Sequence, residues 1–164
     1  MLYGDKMTRA DGGDLTDISG VVATLPAGYS LGERRMFNGD IYRLVYNTSN
    51  QQVIPGYLVC ANVGSALAAG PYSCTITTTT EVCKTVVGAV KHATATTATY
   101  FWALTETLVN PVTLSGVTAI ASNGVYILPA ANGQITNGTT TSIIGYSTAG
   151  AKFYISLETK TYSV

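Results

Sequence analysis

From Gly20 onward, short apolar runs rich in β-branched and aromatic residues alternate with clusters of Gly, Pro, Asn and Ser. This spacing predicts strands and turns, not helices. Residues 21–25 read as a strand closed by the turn Pro26-Ala27-Gly28, and residues 41–46 (IYRLVY) and 56–60 as two more. Residues 72–80 and 82–90 flank Glu81 as the arms of a hairpin. Residues 93–104 read as one long strand ending in Tyr100, Phe101 and Trp102. Residues 117–121, 125–128, 142–148 and 152–157 complete the set. The last alternates cleanly, with Phe153, Ile155 and Leu157 on one face and Lys152, Tyr154, Ser156 and Glu158 on the other.

Four Asn-Gly pairs punctuate these runs: Asn38-Gly39, Asn123-Gly124, Asn132-Gly133 and Asn137-Gly138. Asn-Gly suits the two positive-φ positions of a type I′ hairpin turn, so the pairs predict antiparallel neighbours. The best helical candidate, residues 59–69, carries too much Gly and β-branching to hold a helix. The expectation is an all-β chain: an antiparallel meander forming a small sandwich or partly closed barrel. Residues 1–19 stand apart. They carry Asp5, Asp11, Asp14, Asp17 and the pair Gly12-Gly13 with little apolar content, and read as an extended N-terminal arm on a β domain spanning 20–164.

Composition changes the picture in one respect. Charged residues make up 11% of the chain, well below the usual share, and 25 of its 164 residues are Thr. Uncharged β-branched surfaces suit pleated strands, and they are cheap to cover with a neighbour because few charges need desolvating. Net charge is +0 and the basic residues form no cluster beyond Arg34-Arg35, so no nucleic-acid partner is expected. The longest weakly polar run, residues 58–70, is too short and too rich in small residues to span a bilayer, so no membrane partner is expected. The first residues show no apolar leader pattern, which points to a reducing compartment. Cys74 and Cys83 flank a run that could fold as a hairpin, but three cysteines in that setting are expected to be reduced and buried.

The chemistry-bearing motifs are few. Gly28-Tyr29-Ser30-Leu31-Gly32 matches the G-x-S-x-G nucleophile elbow, and His92, with Asp40 or Glu81, would be the partners of a triad. The elbow needs a strand-to-helix turn inside alternating strands and helices, and that alternation is absent, so Ser30 is read as a turn residue and the chain as no enzyme. One His and no C-x-x-C exclude a structural zinc site, and the spacing of Asp11, Asp14 and Asp17 does not follow a calcium loop; no cofactor or metal is expected. The 11 Tyr, 3 Phe and 1 Trp would serve a sugar-binding face or a set of packed contacts. Aromatics on both faces at Tyr100, Phe101 and Trp102 favour burial on both sides, by core and by neighbour.

Two stretches carry a resemblance. Residues 31–61 (LGERRMFNGDIYRLVYNTSNQQVIPGYLVCA) and the segments YFWAL, GVTAIASNGVYILPAANGQI and SIIGYSTAG, from Tyr100 onward, together resemble bacteriophage head-decoration, or capsid cement, proteins. They cover about half of the chain and are turn and strand patterns without a catalytic residue. Residues 75–97 and the acidic arm depart from the pattern and leave the mode of attachment open. The resemblance implies a small β-barrel-like protein, made in the bacterial host's cytoplasm and bound to the outer capsid surface of the virion. It would act as a homotrimer that clamps neighbouring major capsid protein subunits. The interface residues expected, from the low charge of residues 94–99, the two-sided apolar tail at 100–102 and the polar arm, are Thr94, Thr96, Thr97, Thr99, Tyr100 and Trp102, with Asp11 and Asp14. The competing readings are another virion β component (tail, collar or fibre domain), a carbohydrate-binding module and a small hydrolase. A fibre protein would usually show repeats or a stalk, and the chain has neither.

Overall fold

The structure is a computed structural model, described here for residues 15–48, 51–61, 72–76, 86–109, 111–114, 126–129, 133–137, 145–148 and 152–157. The described residues are all-β, in twelve strands: β1 (Val21–Val22), β2 (Arg34–Phe37), β3 (Asp40–Asn47), β4 (Leu58–Ala61), β5 (Ser73–Thr75), β6 (Val86–Ala89), β7 (Thr99–Glu106), β8 (Val112–Thr113), β9 (Tyr126–Pro129), β10 (Ile135–Asn137), β11 (Gly145–Thr148) and β12 (Lys152–Ile155).

β1 to β7 form one sheet in the order β1-β7-β6-β4-β5-β3-β2, and β3 also pairs β7. That extra pairing closes β3, β7, β6, β4 and β5 into a ring, the partly closed barrel that the strand pattern predicts. Its longest ladder is antiparallel β3–β7, from Ile41 opposite Glu106 to Asn47 opposite Thr99, with an irregularity between Ile41 and Tyr42. β5 joins β3 in parallel, Tyr46 opposite Ser73. The ring is therefore mixed, not a pure meander. β4 sits between β5 and β6, so these described parts of the two runs expected as one hairpin are not partners, while residues 77–85 lie outside the described residues. β8 to β12 form a second, antiparallel sheet in the order β10-β9-β11-β12-β8. The sheets are stitched together where Thr107 N–H donates to the Ile155 carbonyl at 3.0 Å and Leu157 N–H to that of Thr105 at 2.9 Å.

Two differences from the sequence reading have local causes. The long strand expected over 93–104 breaks at 96–98, where Ala98 takes φ +56°, so β7 begins at Thr99. β2, β8 and β10 were not foreseen because each is too short to show alternation and is held by pairing. The Asn38-Gly39 turn does behave as predicted, with φ of 48° and 85° joining β2 to β3. Residues 117–121 and the Asn123-Gly124 pair lie outside the described residues.

The period-2 alternation of the ring strands sorts side chains into two cores. One face carries Tyr42, Leu44, Leu58, Cys60, Trp102 and Leu104, and it packs against Val112, Phe153 and Ile155 of the second sheet. The other carries Val45, Val59, Ala61, Cys74, Phe101 and Ala103 with Val53, Ala93 and Ala95. Cys60 and Cys74 are buried on opposite faces, and burial pushes the Cys74 thiol well above its ordinary range. Cys83 lies outside the described residues. Leu15 is 1% exposed and belongs to the first core, with Ile18 against it. Leu15 and Ile18, both within the segment read as the arm, thus pack with the first core. The Leu15 carbonyl accepts from Trp102 Nε1 at 2.9 Å and from Arg35 at 3.3 Å. The Arg35 guanidinium lies over the rings of Tyr29, Trp102 and Phe37 at 5.1, 5.2 and 5.9 Å.

Candidate interaction surface

The surface of interest is built at the C-terminal end of β3. Asn47 is the last residue of that strand and is 0% exposed. Its side-chain amide donates to the carbonyls of Gln51 and Thr96, each at 3.0 Å. The Ala98 N–H returns to the Asn47 carbonyl at 2.9 Å, and Thr99 Oγ1 donates to Thr96 at 2.7 Å. Val53 and Ala95 exchange two backbone bonds of 2.9 Å. These bonds hold residues 51–55 beside residues 94–98. Val53 and Ala95 point into the core while Gln51, Gln52, Ile54, Pro55, Thr94, Thr96, Thr97 and Ala98 face outward. No charged residue lies within either segment. The result is an uncharged, hydrogen-bonded face whose shape is fixed before any partner arrives.

Of the expected interface residues, Thr94, Thr96 and Thr97 stand together on this face. Thr99 is buried. Tyr100 is half-buried and lies against Tyr46, with ring centroids 4.6 Å apart and the planes tilted by 42°. Trp102 is buried and cannot be a subunit contact: its indole N–H is bonded to the Leu15 carbonyl, and its ring meets Tyr29 and Phe37. Both faces of this segment are indeed covered, but both by the chain's own two cores, so the expectation of a neighbour over one face is corrected. Asp11 and Asp14 lie outside the described residues. Gln51, Gln52, Ile54 and Pro55 were missed, because the Val53–Ala95 bridge that brings them alongside the threonines joins positions far apart in the chain.

The opposite end of β3 holds a charged pair. Asp40, 1% exposed, accepts from Lys91 Nζ at 2.7 Å and from the amides of Leu108 and Val109 at 3.0 and 3.3 Å. Burial by itself would raise the carboxyl; these three bonds and the Lys91 charge more than offset it and hold Asp40 below the usual carboxylate range. His92 is exposed, and partial burial and the neighbouring Lys91 charge push its imidazole below the ordinary value against the pull of Asp17 and Asp40.

The G-x-S-x-G segment folds as consecutive turns. Gly28 and Gly32 take φ of 88° and 79°, the Ser30 amide donates to the Glu33 carboxylate at 3.2 Å, and the chain continues into β2, not into a helix. A Cβ at Gly32 would run into the Tyr72 ring, so the second glycine is needed for packing. Among the described residues no group of three or more His, Cys, Asp or Glu is placed to hold a metal ion, and no helix is long and apolar enough to cross a membrane.

Fold and surface together define an all-β protein built on a partly closed barrel. Comparison with known protein families, with curated proteins and with solved structures finds no match.

Proposed function

We propose that this chain is a structural virion protein that decorates the outer surface of an icosahedral bacteriophage capsid and stabilises it by bridging major capsid protein subunits. The observation that carries the reading is the uncharged face of residues 51–55 and 94–98, preset by the Asn47 amide. Such a face meets a neighbour with little charge desolvation, and its pinned backbone loses little entropy on docking. A homotrimer at a three-fold position is the assembly that fits the resemblance in residues 31–61 and 100–149. Ser30, in a turn leading into a strand, supports a role without chemistry. Binding an assembled shell in preference to its separated subunits stabilises the shell by mass action.

The test compares particles with and without the protein for genome retention during heating or osmotic shock. Decorated particles are expected to survive longer, with the effect in the rupture rate. Equal endurance, with the protein shown to be bound in one sample and absent from the other, overturns the proposal. Ser30→Ala is expected to leave binding unchanged, and a fluorophosphonate probe is expected not to label the chain.

The half-buried Tyr46–Tyr100 pair favours a second reading, a carbohydrate-binding module. Glycan binding by the isolated chain that is lost in Tyr100→Ala would promote it.

A further inference from the structure

The chain crosses from the ring to the second sheet between Glu106, the last residue of β7, and Val112, the first of β8. Both ends of the crossing are fastened to β12. Upstream, Thr107 N–H donates to the Ile155 carbonyl at 3.0 Å, and Ile155 N–H donates to Thr107 Oγ1 at 2.8 Å. Downstream, Val112 stands opposite Phe153 and is buried in the first core. The turn between these points is held differently. Leu108 and Val109 are 53% and 58% exposed, so burial secures them little. Their amides donate to Asp40 Oδ1 at 3.0 and 3.3 Å, and among the described residues no other group accepts from either. The Val109 side chain rests on the Asn38-Gly39 turn, where a Cβ at Gly39 would sit 2.6 Å from its Cγ2.

One carboxylate thus carries the turn, and its hold depends on its charge. Lys91 Nζ donates to the other oxygen, Oδ2, at 2.7 Å. A proton on the carboxyl removes the attraction for Lys91 and leaves the two amides a weaker, neutral acceptor. The neighbouring elements add charges but no second hold on the turn. β2 places the uncharged Phe37 opposite Asp40, with Arg34 and Arg35 further along, opposite Arg43 and Tyr42 of β3. Burial and the Asp40 charge keep the Tyr42 phenol protonated. The loop after β6 contributes Lys91 and the exposed His92, on which Asp17 also acts. Glu106, on β7, accepts from Ser156 Oγ at 3.2 Å. Protonating Asp40 leaves the bonds of Thr107 and the burial of Val112 in place.

We propose that Asp40 is an acid-released latch: taking up a proton frees the Leu108-Val109 turn and lifts Val109 from the Asn38-Gly39 turn while the two sheets stay folded. The device does not depend on what the protein decorates. The latched state prefers the carboxylate. It is therefore fully favoured above the ordinary carboxyl value of about 4, and it is lost as pH falls through the lower value that Asp40 has when latched.

Amide hydrogen exchange of the whole chain from about pH 6 to about pH 3, corrected for the intrinsic effect of pH, reads the latch residue by residue. Protection at Leu108 and Val109 is expected to drop about tenfold below about pH 4, while the Ile155 amide stays protected. Lys91→Met removes the cation that favours the carboxylate and is expected to move the step to higher pH. His92→Asn is expected to leave it in place, and Asp40→Asn to abolish it. Unchanged protection at Leu108 and Val109 across the range overturns the proposal, and so does loss that comes only together with that of Ile155. A step that stays put in Lys91→Met, vanishes in His92→Asn or persists in Asp40→Asn overturns it equally. Should Asp40→Asn fail to fold, the wild-type and Lys91→Met titrations decide by themselves.

Discussion

The two ends of β3 solve one problem with opposite chemistry. At the first residue, Asp40 uses a buried charge to gather Lys91 and the Leu108-Val109 amides; at the last, Asn47 uses a neutral amide to gather the Gln51 and Thr96 carbonyls. Each side chain is buried, and each locks a loop against the barrel. A carboxylate can only accept, so it suits a turn that presents N–H groups; an amide N–H donates, so it suits loops that present carbonyls. The difference teaches what each end tolerates. The acidic clasp is sensitive to pH and supports an exposed apolar patch. The amide clasp is indifferent to pH and supports an uncharged polar face.

Substitutions at the two clasps sharpen the comparison, and Asp40→Ala is expected to cost most, about 3–5 kcal/mol, because it strands Lys91 and two amides at once. Chemical denaturation measures the loss. Asn47→Ala is expected to cost about 2 kcal/mol by the same assay, since the orphaned carbonyls of Gln51 and Thr96 lie nearer to solvent. A loss at Asn47 equal to that at Asp40 would break the distinction between charged and neutral clasp.

The glycine beside the acidic clasp comes next. Gly39→Ala combines a positive φ of 85° with the close approach of Val109, and is expected to destabilise by about 1–3 kcal/mol. Acid separates the clasps without mutation. Because the Asp40 pKa is lowered in the folded chain, its contribution is fully present above the unfolded value of about 4 and is lost as pH falls through the depressed folded value. Stability is therefore expected to fall below about pH 4 in wild type, and more steeply than in Asp40→Asn. Asn47→Ala should retain the wild-type slope. The smallest effect is a gain. Ala98, beside the amide clasp, sits at φ +56° with an alanine's Cβ, so Ala98→Gly is expected to be neutral or to stabilise by up to about 1 kcal/mol in thermal melts.

Local chemistry made much of the fold legible. The β-branched runs, the Asn38-Gly39 turn and the alternation Phe153-Tyr154-Ile155-Ser156-Leu157 depend on neighbours in the chain, and they mark strands, turn and buried face correctly. Thr94 and Thr96 likewise alternate with the buried Ala93 and Ala95, whereas Thr97 falls in the break before β7. Trp102 was misread as a contact because a two-sided apolar strand looks alike whether its second face meets a neighbour or another layer of the same chain.

What the amino-acid order determined by itself is thus the element type, the all-β class and the low-charge surface, each set within a few residues by backbone preference and side-chain chemistry. Only the tertiary structure decided the rest. The parallel β3–β5 pairing, the separation of β5 from β6 by β4, and the ring closure through β3 and β7 join segments far apart in the chain. So do the reach of Arg35 and Trp102 to Leu15 and the two clasps at Asp40 and Asn47. Their partners are selected by which buried donor finds an acceptor once the cores have closed, and that selection leaves no periodic mark along the sequence.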